Sequence, residues 1–111
     1  MSGAKHRQKG DRAEREIVDL HKAMGVYAER YPLSGASWFL GSGHDVDIYA
    51  LGREAGPLVA EVKARKDGEG FVPLKRWLGQ YDILLLRRNH AEPLVVLPWR
   101  VWAAILAKVR Q

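Results

Sequence analysis

Three acidic residues and one lysine lie at strand-like spacing within apolar segments of the chain. In the segment DVDIYA, the alternation of side chains along a strand places Asp45 and Asp47 on one face and the apolar residues on the other. In the segment LVAEVKA, Glu61 and Lys63 share a face and are about 7 Å apart along the strand. A charge in an apolar segment is costly to bury unless a partner compensates it. The sequence therefore predicts that these charges have a partner.

A divalent metal ion is one partner that fits these residues. If the two strands are antiparallel neighbours, Asp47 and Glu61 converge within reach of one hard cation, for which Mg²⁺ is the natural candidate. Such an ion acidifies a bound water and neutralises charge on a phosphate, while Lys63 positions the attacking water. This chemistry suits phosphodiester hydrolysis. In the alternative interpretation the residues are structural, so that Asp47 caps a turn and Glu61 pairs with Lys63 or with a helix arginine.

The periodicity of apolar residues predicts one α/β domain in which helices flank a mixed sheet. With 111 residues, 47% of them hydrophobic, the chain is long enough for a single core. Residues 1–8 are predicted to form a flexible basic tail, and residues 9–111 a single domain. The predicted order is helix, three strands, short helix, two strands and helix, over residues 10–25, 26–31, 45–50, 58–64, 74–80, 82–87, 93–97 and from 98 onward. The apolar stripe of the first helix consists of Ala13, Ile17, Leu20 and Met24.

The composition favours a nucleic-acid partner and excludes cysteine chemistry. Lys and Arg number 18 against 13 Asp and Glu, which gives a formal charge of +5. Such an excess of positive charge is typical of proteins that bind a polyanion. Cysteine is absent, so disulfides, thiolate zinc sites and cysteine nucleophiles are excluded. The longest apolar run, residues 83–86, is far shorter than the roughly 20 residues that span a bilayer. We therefore expect a cytoplasmic protein with no membrane association.

Three motifs in a defined order resemble those of the PD-(D/E)XK nuclease superfamily, and more narrowly the archaeal-type Holliday junction resolvases. They are KGDRAERE at residues 9–16, VDI at 46–48 and EVK at 61–63, with a Ser-Gly loop before the second and a basic turn after the third. The resemblance covers residues 9–72 and weakens beyond them. It implies a restriction endonuclease-like, mixed five-stranded sheet flanked by helices within one nuclease domain. It also implies a Mg²⁺-dependent hydrolase, for which Mn²⁺ is a substitute, that cuts four-way junctions in DNA recombination and repair.

The resemblance assigns roles to individual residues of this chain. It implies that the metal ligands are Glu14, Asp47, Glu61 and the carbonyl group of Val62. Lys63 becomes the catalytic lysine, and Ser34 supplies a hydroxyl near the scissile strand, although Ser37 and Ser42 lie in the same loop. The choice of Glu14 rests on the family pattern alone, because helical geometry does not distinguish it from Glu16. The alternative for Glu14 is an acid on the surface of the helix, and the alternative for Ser34 is a serine that stabilises a turn. His44 is either a metal ligand or a hydrogen-bonded bystander.

Basic residues on both sides of the acidic residues are candidates for contacts with DNA phosphates. Arg15 is implied by the resemblance, and the charge pattern adds the others. The candidates are Lys5, Arg7, Lys9, Arg12, Arg15, Arg65 and Lys66, and Lys75 and Arg76 form a further basic cluster. A solvated basic surface is the alternative.

Branched DNA is the expected partner, and the two symmetric cleavage points of a four-way junction require a homodimer. Its interface residues could be Trp77, Leu78 and Tyr81, although core packing is the favoured interpretation of these three. Two other functions remain open. One is a different nuclease of the superfamily, for repair, nicking or restriction-like cleavage, and the other is a DNA-binding module without catalysis.

Overall fold

The chain is an α/β protein that divides into two compact units. A computed structural model describes residues 3–31 and 44–109, with side chains in the first helix from Gly10 onward. The units comprise Met1–Ala64 and Arg65–Gln111. The first contains α1 (Gly3–Ala23), β1 (Ala28–Arg30), β2 (Val46–Ile48), a 3₁₀ turn (Arg53–Ala55) and β3 (Leu58–Ala60). The second contains α2 (Val72–Leu78), β4 (Leu84–Leu86), β5 (Leu94–Val96) and α3 (Trp99–Val109). The predicted order of helices and strands is confirmed.

The first unit is a three-stranded antiparallel sheet with α1 packed against β1 and β2. The strand order is β1, β2, β3, so β2 is central and pairs with both neighbours. The apolar residues of β2, Val46 and Ile48, are buried, as is Ala28 on β1. Since side chains alternate along a strand, these residues point to the same face, which α1 covers. The intervening residues of each strand therefore belong to the opposite face.

The first helix differs from its prediction at its start and on its buried side. It begins at Gly3 rather than near Gly10, so residues 3–8 are helical. Its buried side chains are Glu14, Val18 and His21, whereas Leu20 of the predicted apolar stripe is 37% exposed. Nδ1 of the buried His21 is 2.7 Å from the carbonyl oxygen of Ile17, so the helix itself provides this imidazole with a hydrogen bond. The buried side is thus displaced by one residue from the stripe of apolar residues.

The second unit contains the two remaining strands as an antiparallel hairpin. β4 pairs with β5, so the five strands of the described chain form one sheet of three and one of two. Leu106 of α3 is 2% exposed, whereas Ile105 and Val109 of the same helix are 43% and 51% exposed. Trp77 and Tyr81 are 56% and 73% exposed, so the interpretation of these two residues as core packing is wrong. None of the helices in the described chain is long and apolar enough to cross a membrane.

The two faces of the sheet predict opposite responses to loss of a valine. Val46 on the covered face is fully buried, whereas Val59 on the opposite face is 63% exposed. We expect Val46→Ala to lower the free energy of unfolding by about 2 kcal/mol, because two buried methyl groups are lost and a cavity remains. The matched control Val59→Ala should change it by less than about 0.5 kcal/mol. Urea denaturation measures both values, and equal losses would contradict the assignment of the faces.

Candidate active site

The face of the sheet opposite α1 carries the charged residues of β1 and β2. Asp47, at the centre of β2, pairs with Glu29 on one side and with Val59 on the other. Cross-strand partners share a face, so Glu29 and Asp47 present carboxylates side by side. The predicted alternation of β2, with acidic residues opposite apolar ones, is therefore confirmed at Asp47. The condition that the two strands are antiparallel neighbours is met, because β2 pairs with β3.

The carboxylate of Asp47 is held by the imidazole of His44. Nε2 of His44 is hydrogen-bonded to Oδ1 of Asp47, and their side chains are only 12% and 13% exposed. The ring of His44 also lies against Tyr31, with 4.5 Å between the ring centroids. His44 thus limits the orientations available to Asp47. The predicted turn cap at Asp47 is absent from its described hydrogen bonds.

The EVK segment continues β3 beyond its last paired residue. Exposure alternates through this segment, so that Glu61 and Lys63 are exposed while Val62 between them is half-buried. Nζ of Lys63 lies 2.8 Å from Oε2 of Glu61, with more than half of each side chain exposed. This is the ion pair that the structural interpretation predicted. An exposed pair of this kind contributes little to stability, at most about 1 kcal/mol, so it leaves both side chains available for other partners.

Asp45 joins all three strands at the end where the candidate catalytic residues lie. Its backbone amide donates to the carbonyl oxygen of Ala60 at 2.9 Å, and its carbonyl oxygen accepts from the amide of Tyr31 at 3.0 Å. Its side-chain Oδ2 accepts from the amide of Val62 at 2.8 Å. Asp45 therefore anchors the backbone between Glu61 and Lys63. The sequence placed it beside Asp47 but gave no sign of this bond, which depends on a contact 17 residues along the chain.

Glu14 lies at the interface between α1 and the sheet, where Arg30 of β1 bonds it. Nε of Arg30 donates to Oε1 of Glu14 at 3.0 Å, and a terminal nitrogen of Arg30 donates to Asp11 at 2.8 Å. Burial raises the pKa of Glu14, opposed by the hydrogen bond from Arg30 and reinforced by the nearby charge of Asp45. Glu14 is buried and Glu16 is exposed, so the structure distinguishes two acids that helical geometry left equivalent. Arg30 had no role in the sequence prediction.

The oxygen atoms of this region fit a hard cation in chemical type. Among the described residues, Asp47 and Glu61 each have one carboxylate oxygen in a hydrogen bond or ion pair and the other without one. Within the same described ranges, the carbonyl oxygen of Val62 also accepts no hydrogen bond. These are the oxygen ligands that Mg²⁺ prefers. No three Asp, Glu or His side chains of residues 3–31 and 44–109 are close enough together to form a metal-binding group.

The predicted phosphate contacts are distributed over both units. Arg12 and Arg15 are exposed on α1. This helix covers the other face of the sheet from the one that carries Asp47. Arg65 and Lys66 are exposed at the start of the second unit. Lys5, Arg7 and Lys9 belong to α1, but their side chains lie outside the described residues, and so does the whole loop with Ser34, Ser37 and Ser42.

Comparison of the chain with protein-family models, curated proteins and solved structures found no match. The functional interpretation therefore depends on the residues themselves.

The raised pKa of Glu14 predicts a specific dependence of stability on pH. A carboxyl group whose pKa is raised by folding favours the folded state below its usual pKa of 4.5. This contribution is lost as the pH rises through the raised pKa. We expect the wild type to lose unfolding free energy relative to Glu14→Gln as the pH rises from below 4.5 to neutral.

Urea denaturation in EDTA over this pH range measures the difference. Glu16→Gln is the control for loss of a negative charge from α1. A difference for Glu14→Gln that does not change with pH would contradict the prediction.

Proposed function

We propose that this protein is a metal-dependent endodeoxyribonuclease that cuts four-way DNA junctions by paired incisions, as Holliday junction resolvases do. One observation carries the proposal: Asp47 of β2 and the Glu61 and Lys63 that continue β3 extend from adjacent antiparallel strands. Diagonal neighbours on such strands have Cα atoms about 7 to 8 Å apart, which lets their side chains converge on one ion or one phosphate. The proposal includes a restriction endonuclease-like arrangement of the helices and strands.

In this proposal the metal ligands are Asp47, Glu61 and the carbonyl group of Val62, while Glu14, the further acid of the predicted metal site, lies on the α1 side of the sheet beside Arg30. A bound Mg²⁺ ion, or Mn²⁺ in its place, supplies an activated water and neutralises charge on the scissile phosphate. His44 keeps one oxygen of Asp47 in place, which restricts the orientation of the carboxylate. Asp45 holds the amide of Val62, and with it the backbone from which Glu61 and Lys63 extend.

The proposed role of Lys63 requires it to exchange one partner for another. Its ammonium group is paired with Glu61 at 2.8 Å. With Glu61 as a metal ligand, the ammonium group of Lys63 would be released to orient the attacking water and to stabilise the negative charge of the transition state. Both side chains are more than half exposed, so this exchange costs little desolvation.

Branched DNA as the substrate and a homodimer as the active form belong to the same proposal. The formal charge of +5 favours a polyanion. The exposed aromatic side chains of Trp77 and Tyr81 supply apolar area for an interface between two copies of the chain. A two-fold dimer would bring two equivalent sites to the two symmetric strands of a junction.

Substitution of the three proposed catalytic residues should separate cleavage from DNA binding. We expect Asp47→Asn and Glu61→Gln to abolish cleavage with DNA affinity at or above that of the wild type, because each removes a metal ligand and a repulsive charge. Lys63→Ala should retain metal binding but slow cleavage about 100-fold or more, since a transition-state interaction is lost.

Cleavage of a labelled junction in Mg²⁺ and fluorescence anisotropy in EDTA measure the two properties. The control Glu54→Gln removes an exposed acid of the 3₁₀ turn and should leave cleavage unchanged. Mg²⁺-dependent cutting by Asp47→Asn or Glu61→Gln would refute the metal site. DNA binding by the wild type without any cleavage would favour a non-catalytic module, for which the Lys63 to Glu61 ion pair is structural.

The choice of substrate and the oligomeric state test the resolvase part of the proposal. We expect a homodimer in sedimentation at micromolar concentration that cuts four-way junctions in preference to flap, nicked and linear duplex DNA. Its DNA affinity should fall steeply as salt rises, because phosphate contacts release counterions. A monomer that cuts linear duplex as fast as junctions would point instead to another nuclease of the superfamily.

A further inference from the structure

Two tyrosines and an arginine form a cluster on the face of the sheet that carries Asp47. Tyr27 and Tyr49 extend the pairing of β1 and β2, with the amide of Tyr49 donating to the carbonyl oxygen of Tyr27 at 2.9 Å. Their ring centroids are 5.4 Å apart. The guanidinium carbon of Arg53 lies 3.8 Å from the ring centroid of Tyr27 and 5.3 Å from that of Tyr49. Lys22 of α1 approaches the ring of Tyr27 to 6.0 Å.

The conformation of the chain after β2 holds Arg53 over the two rings. Gly52 has a φ of +102° and Gly56 a φ of +82°, values that favour glycine, and they enclose the 3₁₀ turn in which Arg53 lies. The hydroxyl of Tyr27 donates to Oε2 of Glu29 at 2.8 Å, and this bond raises the pKa of the phenol, which stays neutral. Its ring therefore offers an uncharged aromatic face on which a guanidinium stacks.

The cations of this cluster differ in their ion pairing from the other cations of the described chain. Arg30, Lys63 and Arg100 each form an ion pair with a carboxylate. Among the described residues, Arg53 and Lys22 form none, and both are exposed. A guanidinium stacked by its face on a tyrosine keeps its N–H groups at the edge, where they match the oxygens of a phosphate.

The position of the cluster connects it to the candidate active site. Tyr49 follows Asp47 by two residues, so both lie on one face about 7 Å apart along the strand. A DNA strand over Asp47 meets the carboxylates of Asp47 and Glu29, which repel its phosphates. A cation on the same face is needed to oppose that repulsion.

We propose that Arg53, stacked on Tyr27 and Tyr49 and flanked by Lys22, binds a backbone phosphate of DNA next to the scissile one. The inference rests on the proposed function for the identity of the polyanion. The contact is independent of base sequence, as a phosphate contact must be. It positions the DNA strand along β2, so that the scissile phosphate lies at Asp47.

The test is DNA binding by Arg53 variants, measured apart from cleavage. Fluorescence anisotropy with a labelled four-way junction in EDTA, over a series of salt concentrations, gives the affinity and its salt dependence. Arg88→Ala is the matched control, since it removes an exposed arginine of the second unit and leaves the same net charge. Tyr49→Leu removes one ring of the cluster without a change in charge.

We expect Arg53→Ala to weaken binding on the order of fivefold or more and to reduce the slope of log affinity against log salt by about 0.9, the value for one phosphate. Arg53→Lys should retain the salt slope of the wild type but not its full affinity. An ammonium group neither stacks flat on an aromatic ring nor donates two parallel hydrogen bonds to a phosphate. Tyr49→Leu should weaken binding less than Arg53→Ala, with the slope retained.

An effect of Arg53→Ala no larger than that of Arg88→Ala overturns the inference, as does a wild type that binds no DNA. If Arg53→Ala binds and cuts like the wild type, the inference fails while the proposed nuclease stands. If binding depends on Arg53 but the wild type does not cut, the phosphate contact stands and the proposed nuclease fails.

Discussion

The antiparallel register of β2 determines which face of the sheet carries Asp47 and the residues paired with it. Val46 and Ile48 are buried beneath α1, and this leaves Asp47 on the other face. A slip of one residue would move Asp47 into the core and expose the valine and isoleucine, so burial of two apolar side chains specifies the register strongly. Asp45 adds a second constraint, because hydrogen bonds of its amide, carbonyl and carboxylate groups join the ends of the strands and hold the backbone of the EVK segment.

The contact between α1 and the sheet depends on a charged group that the fold buries. Glu14 loses hydration at this interface, and burial outweighs the hydrogen bond from Arg30 in its effect on the pKa of the carboxyl group. A buried ion pair contributes little net stability, since desolvation offsets the attraction between the charges. Its effect is to restrict geometry, because the observed rotation of α1 lets Glu14 and Asp11 both reach Arg30. The same rotation brings Glu14 close enough to Asp45 for their charges to interact.

The elements of this fold could be predicted from local sequence, whereas their contacts could not. Alternation along a strand placed Asp47 correctly, and turn residues gave the order of the elements. The rotation of α1 was missed because its apolar stripe lies one residue away from Glu14 and His21, polar residues that obtain hydrogen bonds from the fold itself. The role of Arg30 and the division of the strands into two sheets depend on pairing between distant segments, which local periodicity does not contain. The resemblance selected Glu14 over Glu16 for a family role, whereas the structure shows Glu14 buried beside Arg30.

On the face of the sheet opposite α1, the negative and positive charges occupy separate positions along the strands. Glu29 and Asp47 form a pair of carboxylates, and two residues along lie the tyrosines that support Arg53. The spacing of about 7 Å between Asp47 and Tyr49 along β2 is shorter than the Debye length of about 8 Å at physiological salt. A phosphate near Arg53 is therefore attracted by the cation and repelled by the carboxylates at the same time. A divalent cation on Asp47 would remove most of that repulsion while leaving Arg53 unchanged, so metal binding and DNA binding would reinforce each other on this face.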